Sequence, residues 1–327
     1  MNQAHLPPLL GESNAFLEAV EAASQLAQID RPALIIGERG TGKELIASRI
    51  HYLSSRWSGP LLKLNCAALS EDLLDAELFG HVAGAFTGAS KNRPGRFTAA
   101  DGGSLFLDEL GTMSPRLQEK LLRVIEYGEF EPLGSSETQQ VSVRIIGATH
   151  VDLPAAAAAG KFRGDLLDRL SFDVITLPPL RARREDILLL ADHFAQNMVK
   201  EMAGEVFGGW SATARNTLTE YHWPGNVREL RNVVERAVYR HGLSSRPVGS
   251  LTLDPFESPY RPATQRTDET GPTRYPYDLR QTLQNEEIRR IEAALRDHQH
   301  HQGRTAEALG LSYDQLRALL RKYRISR

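Results

Sequence analysis

The chain has 327 residues, enough for two or three domains, and its 24% charged and 41% apolar content is that of an ordinary globular protein. A net charge of −2 gives no whole-chain basicity that would advertise nucleic acid, and the single cysteine, Cys66, excludes an internal disulfide framework and suits a reducing compartment. No run of about 18 apolar residues and no basic segment leading into an apolar one occur, so neither a membrane span nor a secretory signal is expected and the chain reads as cytoplasmic.

Leu9-Leu10-Gly11-Glu12-Ser13 predicts a turn, and residues 14–27 a helix. The stretch ahead of the first strand is too short for a sensory domain, so control is expected from another molecule. The apolar run Ala33-Leu34-Ile35-Ile36 reads as a strand. It is followed by Gly37-Glu38-Arg39-Gly40-Thr41-Gly42-Lys43 and the amphipathic run Leu45-Ile46-Ala47-Ser48-Arg49-Ile50. Strand, glycine-rich loop and helix in that order make a phosphate cradle, with backbone N–H groups turned inward and the positive helix end facing the anion. Lys43 can reach the outer phosphates. Position 44 departs from the general pattern, carrying Glu44 where Ser or Thr would hold magnesium.

Residues 61–66 predict a short strand whose polar end, Asn65, either points to the nucleotide or makes a strand-end hydrogen bond. Gly84-Ala85-Phe86-Thr87-Gly88-Ala89 combines small residues with one aromatic and one hydroxyl. Composition alone favours a tight turn with Phe86 tucked into the core, because an exposed ring is costly unless a partner covers it. Residues 103–109 form an apolar strand ending in two acids. Asp108 can hold magnesium, directly or through water, and Glu109 can polarise a water for attack on the terminal phosphate. Such an acid pair gains its force from the glycine-rich loop upstream.

Residues 117–127 are an amphipathic helix and 128–140 a second candidate mobile loop. Residues 141–150 predict a strand ending in Thr149 and His150, which can approach the phosphates at the carboxyl edge of a parallel sheet. Arg163 and Arg169 are either two solvated helix charges or groups that reach a neighbouring subunit's nucleotide. From 180 to 241 the strand pattern stops. Helices at 184–200, 212–220 and 227–240, broken at Trp223-Pro224-Gly225-Asn226, make a small lid from which Arg228 could face the nucleotide. Residues 244–277, with Pro247, Pro255, Pro259, Pro262, Pro272 and Pro276, have linker composition.

Beyond the linker, 279–296 reads as a helix, 303–312 as a short helix ending at a glycine turn, and 313–322 as a second short helix. That is a helix-turn-helix pattern. From Ser312 on, Arg317, Arg321, Lys322, Arg324 and Arg327 stand against Asp314 alone, which suits the major groove and its flanking phosphates. Arg304, Ser312, Tyr313 and Gln315 join the candidate DNA contacts, and His298, His300 and His301 could add phosphate contacts. The competing reading is a helical dimerisation module with ordinary surface charge.

Taken together, the motifs resemble those of the bacterial enhancer-binding proteins, the AAA+ ATPases that activate sigma-54 RNA polymerase. The likeness runs from about Leu10 to Arg327. GAFTGA at 84–89 is its signature, and GERGTGKE at 37–44, LFLDE at 105–109 and WPGNVREL at 223–230 agree with it; Glu44 is usual there. The missing sensory domain and the stretch RLSFDVITLPPLR place it nearest the branch that activates the phage shock operon. The resemblance implies an α/β AAA+ core with a parallel sheet over 1–176, a helical lid over 177–243, a flexible linker over 244–277 and a Fis-type helix-turn-helix over 278–327. It implies ATP and Mg2+ as cofactors, bound through residues 37–44, with Asp108 serving the magnesium and Glu109 orienting the attacking water. Asn65 would be a switch that holds or releases Glu109, Thr149 and His150 a first sensor, and Arg228 a second. Arg163 and Arg169 would be fingers supplied to a neighbour, which implies a ring, usually a hexamer. The resemblance reverses the composition-based reading of Phe86: residues 84–89 would touch sigma-54 through Phe86 and Thr87. Upstream enhancer DNA is the other partner, and phage shock protein A the expected inhibitor, with Trp57 either its docking residue or a packing tryptophan.

Many relatives carry an acid at the positions of Val82 and Thr98 and a base at that of Pro132. All three are uncharged here, so apolar contacts are expected to brace the two loops. Two other classes remain to be separated: a transcription factor with an ATP fold that no longer hydrolyses, and a helicase or clamp-loader-like ATPase. Intact Lys43, Asp108 and Glu109 speak against the first, and the second has no use for GAFTGA.

Overall fold

The computed structural model describes residues 8–86, 89–256, 260, 279–298 and 301–323. The chain divides into two compact units, Met1–Pro255 and Phe256–Arg327. The first is built on a five-stranded parallel sheet: β1 (Ala33–Ile36), β2 (Leu61–Asn65), β3 (Ser104–Asp108), β4 (Arg144–Thr149) and β5 (Val174–Thr176), in the order β2-β3-β4-β1-β5. A parallel sheet needs both faces covered, and the side-chain alternation of the central strands supplies both. Leu105, Leu107 and Ile145 join Leu78, Phe97, Leu117, Leu121 and Leu166 on one side. Phe106 and Ile146 join Phe16, Leu26, Ile46 and Ile50 on the other.

Helix boundaries follow local chemistry. Ser114 accepts the Leu117 N–H, Pro115 occupies the first turn, and Gly128 at φ +69 ends the Pro115–Tyr127 helix. The 128–140 segment, read from sequence as a loop, contains a short hairpin pairing Glu129–Phe130 with Gln139–Gln140 around the buried Phe130. Val141 N–H donates to the Gly128 carbonyl at 2.8 Å and closes that hairpin. For this reason β4 begins at Arg144 rather than at 141.

The lid helices Glu185–Glu201, Ala212–Glu220 and Asn226–His241 pack around Leu190, Val199, Trp210, Leu218, Trp223, Leu230 and Val234. Val248, Leu251 and Leu253 pack on this cluster too, so the first part of the proline-rich stretch is lid-bound chain rather than free linker. Pro259, Pro262, Pro272 and Pro276 lie outside the described residues.

The second unit has helices Leu279–Asp297, Gln302–Ala308 and Tyr313–Lys322. Ile291, Leu295, Ala306 and Leu316 form its core. Gly310, at φ +66, makes the turn between the last two helices.

Candidate functional site: the carboxyl edge of the sheet

Parallel strands deliver their carboxyl ends to one edge, and the register gathers the candidate residues there. Asn65 pairs with Asp108 across β2 and β3, and Ile36 pairs with Thr149 across β1 and β4. From Ile36 the chain enters the glycine loop, pinned at its start by Gly37 N–H donating to the Thr149 carbonyl at 3.1 Å. Gly40 at φ +80 and Gly42 at φ +100 adopt backbone that a side chain would strain. Gly42 is the N-cap of the Lys43–Tyr52 helix and brings no capping side chain, which leaves that helix end open to an anion. Thr41 Oγ1 donates to the Glu38 carbonyl at 2.9 Å and stiffens the loop. Lys43 Nζ donates to the Gly37 and Glu38 carbonyls at 2.9 and 3.2 Å. Burial holds the Lys43 ammonium below its usual pKa, while Glu109 and Asp108 pull the other way. A cation so placed gains by meeting further negative charge.

Asp108 lies above the usual carboxylate pKa because it is buried; the Glu109 N–H it accepts at 3.0 Å and nearby Lys43 oppose the rise. Glu109 sits at φ +55, a strained conformation for a non-glycine residue and of the kind found at functional sites. Its carboxylate meets His150 Nδ1 at 2.5 Å and Arg39 Nε at 3.5 Å. Asn65 does not hold Glu109: its Oδ1 accepts the Ala67 N–H at 2.9 Å, starting a turn at Cys66–Ala68. In this structure the strand-end hydrogen-bonding role of Asn65 is the one realised, and His150 is the partner of Glu109. Burial pushes the neighbouring Cys66 thiol up to about 12, so it stays protonated near neutral pH.

The Thr149 side chain is buried and accepts the Val151 N–H at 3.0 Å. Glu44 turns outward to Lys63 at 2.8 Å. The Glu38 carboxylate also leaves the cradle. It is bonded by Arg181 and Asn226, which hold it down to about 2. Arg228, exposed in the first turn of the Asn226–His241 helix, lies beside Gly40. A mainly apolar pocket beside the cradle lies between Leu10, Phe16, Leu45, Phe194 and Val227, with Thr41, Arg183 and His193 also on its walls. Sequence reasoning missed this pocket, because its walls come from distant segments and carry no motif.

Arg163 and Arg169 point to surface carboxylates instead of the cradle. Arg163 pairs with Asp165 at 2.7 Å and Glu119 at 3.6 Å, and Arg169 with Glu126 at 2.7 Å. Gln118, which no motif marked, is buried and fixes the Arg163 backbone by accepting its N–H at 2.8 Å.

Phe86 is 45% exposed, against the composition-based expectation of a core position, and its ring meets the edge of His81 at a centroid distance of 4.9 Å. Gly84 N–H donates to the Ala89 carbonyl at 2.8 Å, closing the neck of the segment. Ala89 is buried and Ala85 half-buried; Thr87 and Gly88 lie outside the described residues. Val82 N–H donates to the Leu133 carbonyl at 3.0 Å, and Gly134 packs on Ala85 and Val82. The contacts around Val82 are thus apolar and main-chain. At the base, however, Glu77 pairs with Arg93 and Arg96 at 2.8 and 3.1 Å, a charged brace that the sequence did not suggest. Trp57 is 61% exposed, more than the half-buried position of the packing reading.

In the second unit, Ser312 and Gln315 are occupied with each other: Ser312 Oγ accepts the Gln315 N–H and Gln315 Oε1 accepts the Ser312 N–H, a capping box. Tyr313 is exposed beneath the Arg317 guanidinium, Arg304 and Arg321 are exposed, and Lys322 Nζ donates to the Tyr323 hydroxyl. Arg324, Arg327 and His300 lie outside the described residues.

Three family models match the chain. Residues 9–176 match the sigma-54 interaction domain, 181–269 the AAA+ ATPase lid domain, and 282–323 the bacterial regulatory protein, Fis family. The Psp operon transcriptional activator of Escherichia coli K12 is 57% identical over 97% of this chain and 98% of its own length. ZraR of Salmonella typhimurium is 50% identical over 70% of this chain and 52% of its own. Crystal structures of Brucella abortus NtrX with ADP and with ATP align at a TM-score of 0.70 and 31% identity, covering 96% of this chain and 69% of theirs. No helix among the described residues is long and apolar enough to cross a membrane. The chain belongs to the sigma-54-dependent transcriptional activators, AAA+ ATPases that carry a Fis-type DNA-binding domain.

Proposed function

We propose that this protein hydrolyses ATP in a cytoplasmic ring of like subunits, a hexamer, and spends the cycle on remodelling closed sigma-54 polymerase complexes into open ones. The observation that carries this reading is the exposed Phe86 on a short closed-neck segment of the same compact unit that holds the phosphate cradle. ATP binds at residues 37–44, with its phosphates against the loop N–H groups, Lys43 and Arg228, and its base in the pocket beside Phe16 and Val227. Asp108, a half-buried carboxylate near Lys43, is a fitting ligand for Mg2+, which supplies charge neutralisation of the phosphates when bound. Glu109 takes the proton of the attacking water, and His150 orients its carboxylate. Thr149 holds the loop through its carbonyl. Asn65, the register partner of Asp108 across the sheet, acts as the switch only if its turn at Cys66 rearranges. Arg163 and Arg169, paired with exchangeable surface acids, reach the neighbour's nucleotide. Phosphate-dependent movement of residues 84–89 delivers work through Phe86 and Thr87.

The helix-turn-helix holds the ring at upstream enhancer DNA and raises its local concentration there. Arg304, Tyr313, Arg317, Arg321 and Lys322 make the contacts, with Ser312 and Gln315 setting the helix start. The relative's name points to the phage shock operon as the target, and the exposed Trp57 to docking of phage shock protein A as inhibitor.

Transcription in vitro with sigma-54 holoenzyme tests the reading. Glu109→Ala should lower ATP turnover by about 10²- to 10⁴-fold, the usual worth of a general base. Thr87→Ala should keep turnover and lose promoter opening, and Trp57→Ala should open promoters in the presence of the inhibitor. Strand separation without sigma-54, or opening by Glu109→Ala, would contradict it.

A further inference from the structure

The phosphate loop is tied to the lid by bonds that no nucleotide takes part in. Asn226 Nδ2 donates to the Arg39 carbonyl at 3.0 Å and to Glu38 Oε2 at 3.1 Å, and its Oδ1 accepts the Leu180 N–H at 2.8 Å. Val227 N–H donates to the Gly40 carbonyl at 3.0 Å. Arg181 grips the Glu38 carboxylate with two bonds, at 2.6 and 2.8 Å. Asn226 is wholly buried, and it sits at φ +52, a left-handed conformation that asparagine tolerates better than most residues. The two backbones also touch: a Cβ on Gly40 would stand 2.4 Å from the Gly225 carbonyl oxygen.

In a trans peptide the C=O and the following N–H point opposite ways. Anchoring the Arg39 and Gly40 carbonyls on the lid therefore turns the Gly40 and Thr41 N–H groups to the other side of the loop. Inward-turned successive N–H groups are what make such a loop an anion site. We infer that Asn226, assisted by Arg181, is a positioning residue for nucleotide binding: from the lid it holds the phosphate loop in its anion-binding shape through Glu38 and Arg39. Nucleotide affinity is then coupled to lid orientation through Asn226, and a rotation of the lid loosens the cradle directly. The inference rests on residues 37–43 being the nucleotide site. A Lys43→Ala control separates the two, since it should abolish binding wherever the latch stands.

Equilibrium binding of a fluorescent ADP analogue and steady-state ATP turnover, both on the full chain, test it. Asn226→Ala should weaken ADP binding about tenfold, the loss of one or two net hydrogen bonds, and raise KM with kcat little changed. Asn226→Asp should be worse than alanine, because it sets a second carboxylate against Glu38. Adding Glu38→Gln to Asn226→Asp should recover part of the affinity. Arg181→Ala, at a half-exposed site where folding is not at stake, should weaken ADP binding about threefold, as an exposed but bidentate pair allows. It decides alone if Asn226→Ala fails to fold. Unchanged ADP affinity in Arg181→Ala and in any folded Asn226→Ala, or a fall in kcat at unchanged affinity, would overturn the inference.

Discussion

His51 is wholly buried at the amino end of β3, where its Nδ1 meets Ser104 Oγ at 3.0 Å. Burial holds its pKa below the ordinary histidine value, the Arg144 cation adds to this, and the Gly59 backbone opposes it. The folded state therefore prefers the neutral ring. Its contribution to stability is complete above the unfolded value of about 6.5 and is lost as pH falls from there through the lowered folded value. Wild type should lose more unfolding free energy between about pH 7.5 and pH 5.5 than His51→Gln, as read by urea denaturation; equal losses would contradict this. The positions of the candidate residues were partly legible in the sequence. Lys43, Asp108 and Glu109 stand where their spacing put them, because a loop and two strand ends leave little freedom. The partners of Asn65, Glu38 and Glu109 were not legible, because each choice of hydrogen bond depends on which distant segment arrives at that place. Asn65 had a competing backbone donor two residues away, and Glu38 had Arg181 and Asn226.

At the scale of elements, the loop at 84–89 and the hairpin at 129–140 meet through main-chain bonds and small side chains around Val82, Ala85, Leu133 and Gly134. Among the described residues charge enters at the base, where Glu77 meets Arg93 and Arg96, and at the hairpin, where Arg123 meets Glu129 and Glu131 at 4.0 and 3.6 Å; half-exposed pairs of that kind are worth little. Raising salt from about 0.1 to about 1 M shortens the screening length from about 10 to about 3 Å. Across that range the coupling of loop-dependent sigma-54 binding to ATP should change by less than about threefold, the scale of one exposed ion pair. A steep dependence in binding titrations would show that the two loops are held by charge after all. The long amphipathic helices and the apolar strands were readable from period and capping signals. The Glu71–Phe79 helix, the three-residue β5 and the two hairpin arms were not. They are short, and tertiary contact rather than local pattern decides them.

At the scale of the molecule, the domain order was legible because the strand pattern stops at the lid and the composition shifts in the proline-rich stretch. Its inner boundary was not, since Val248, Leu251 and Leu253 are too sparse to signal that they cover the lid. One compact unit thus carries the cradle, the lid and the exposed Phe86, while the Fis-type unit supplies the address on DNA. In the proposed cycle these are joined through nucleotide state, the terminal phosphate raising the 84–89 segment and its loss withdrawing it. The direct measurement is sigma-54 capture by the full chain in the presence of ADP with a metal-fluoride mimic of the transferring phosphate, against ADP alone. The account predicts a stable complex with the mimic, none with ADP, and none with Phe86→Ala in either state. Normal nucleotide turnover with no sigma-54 complex in the trapped state would contradict it.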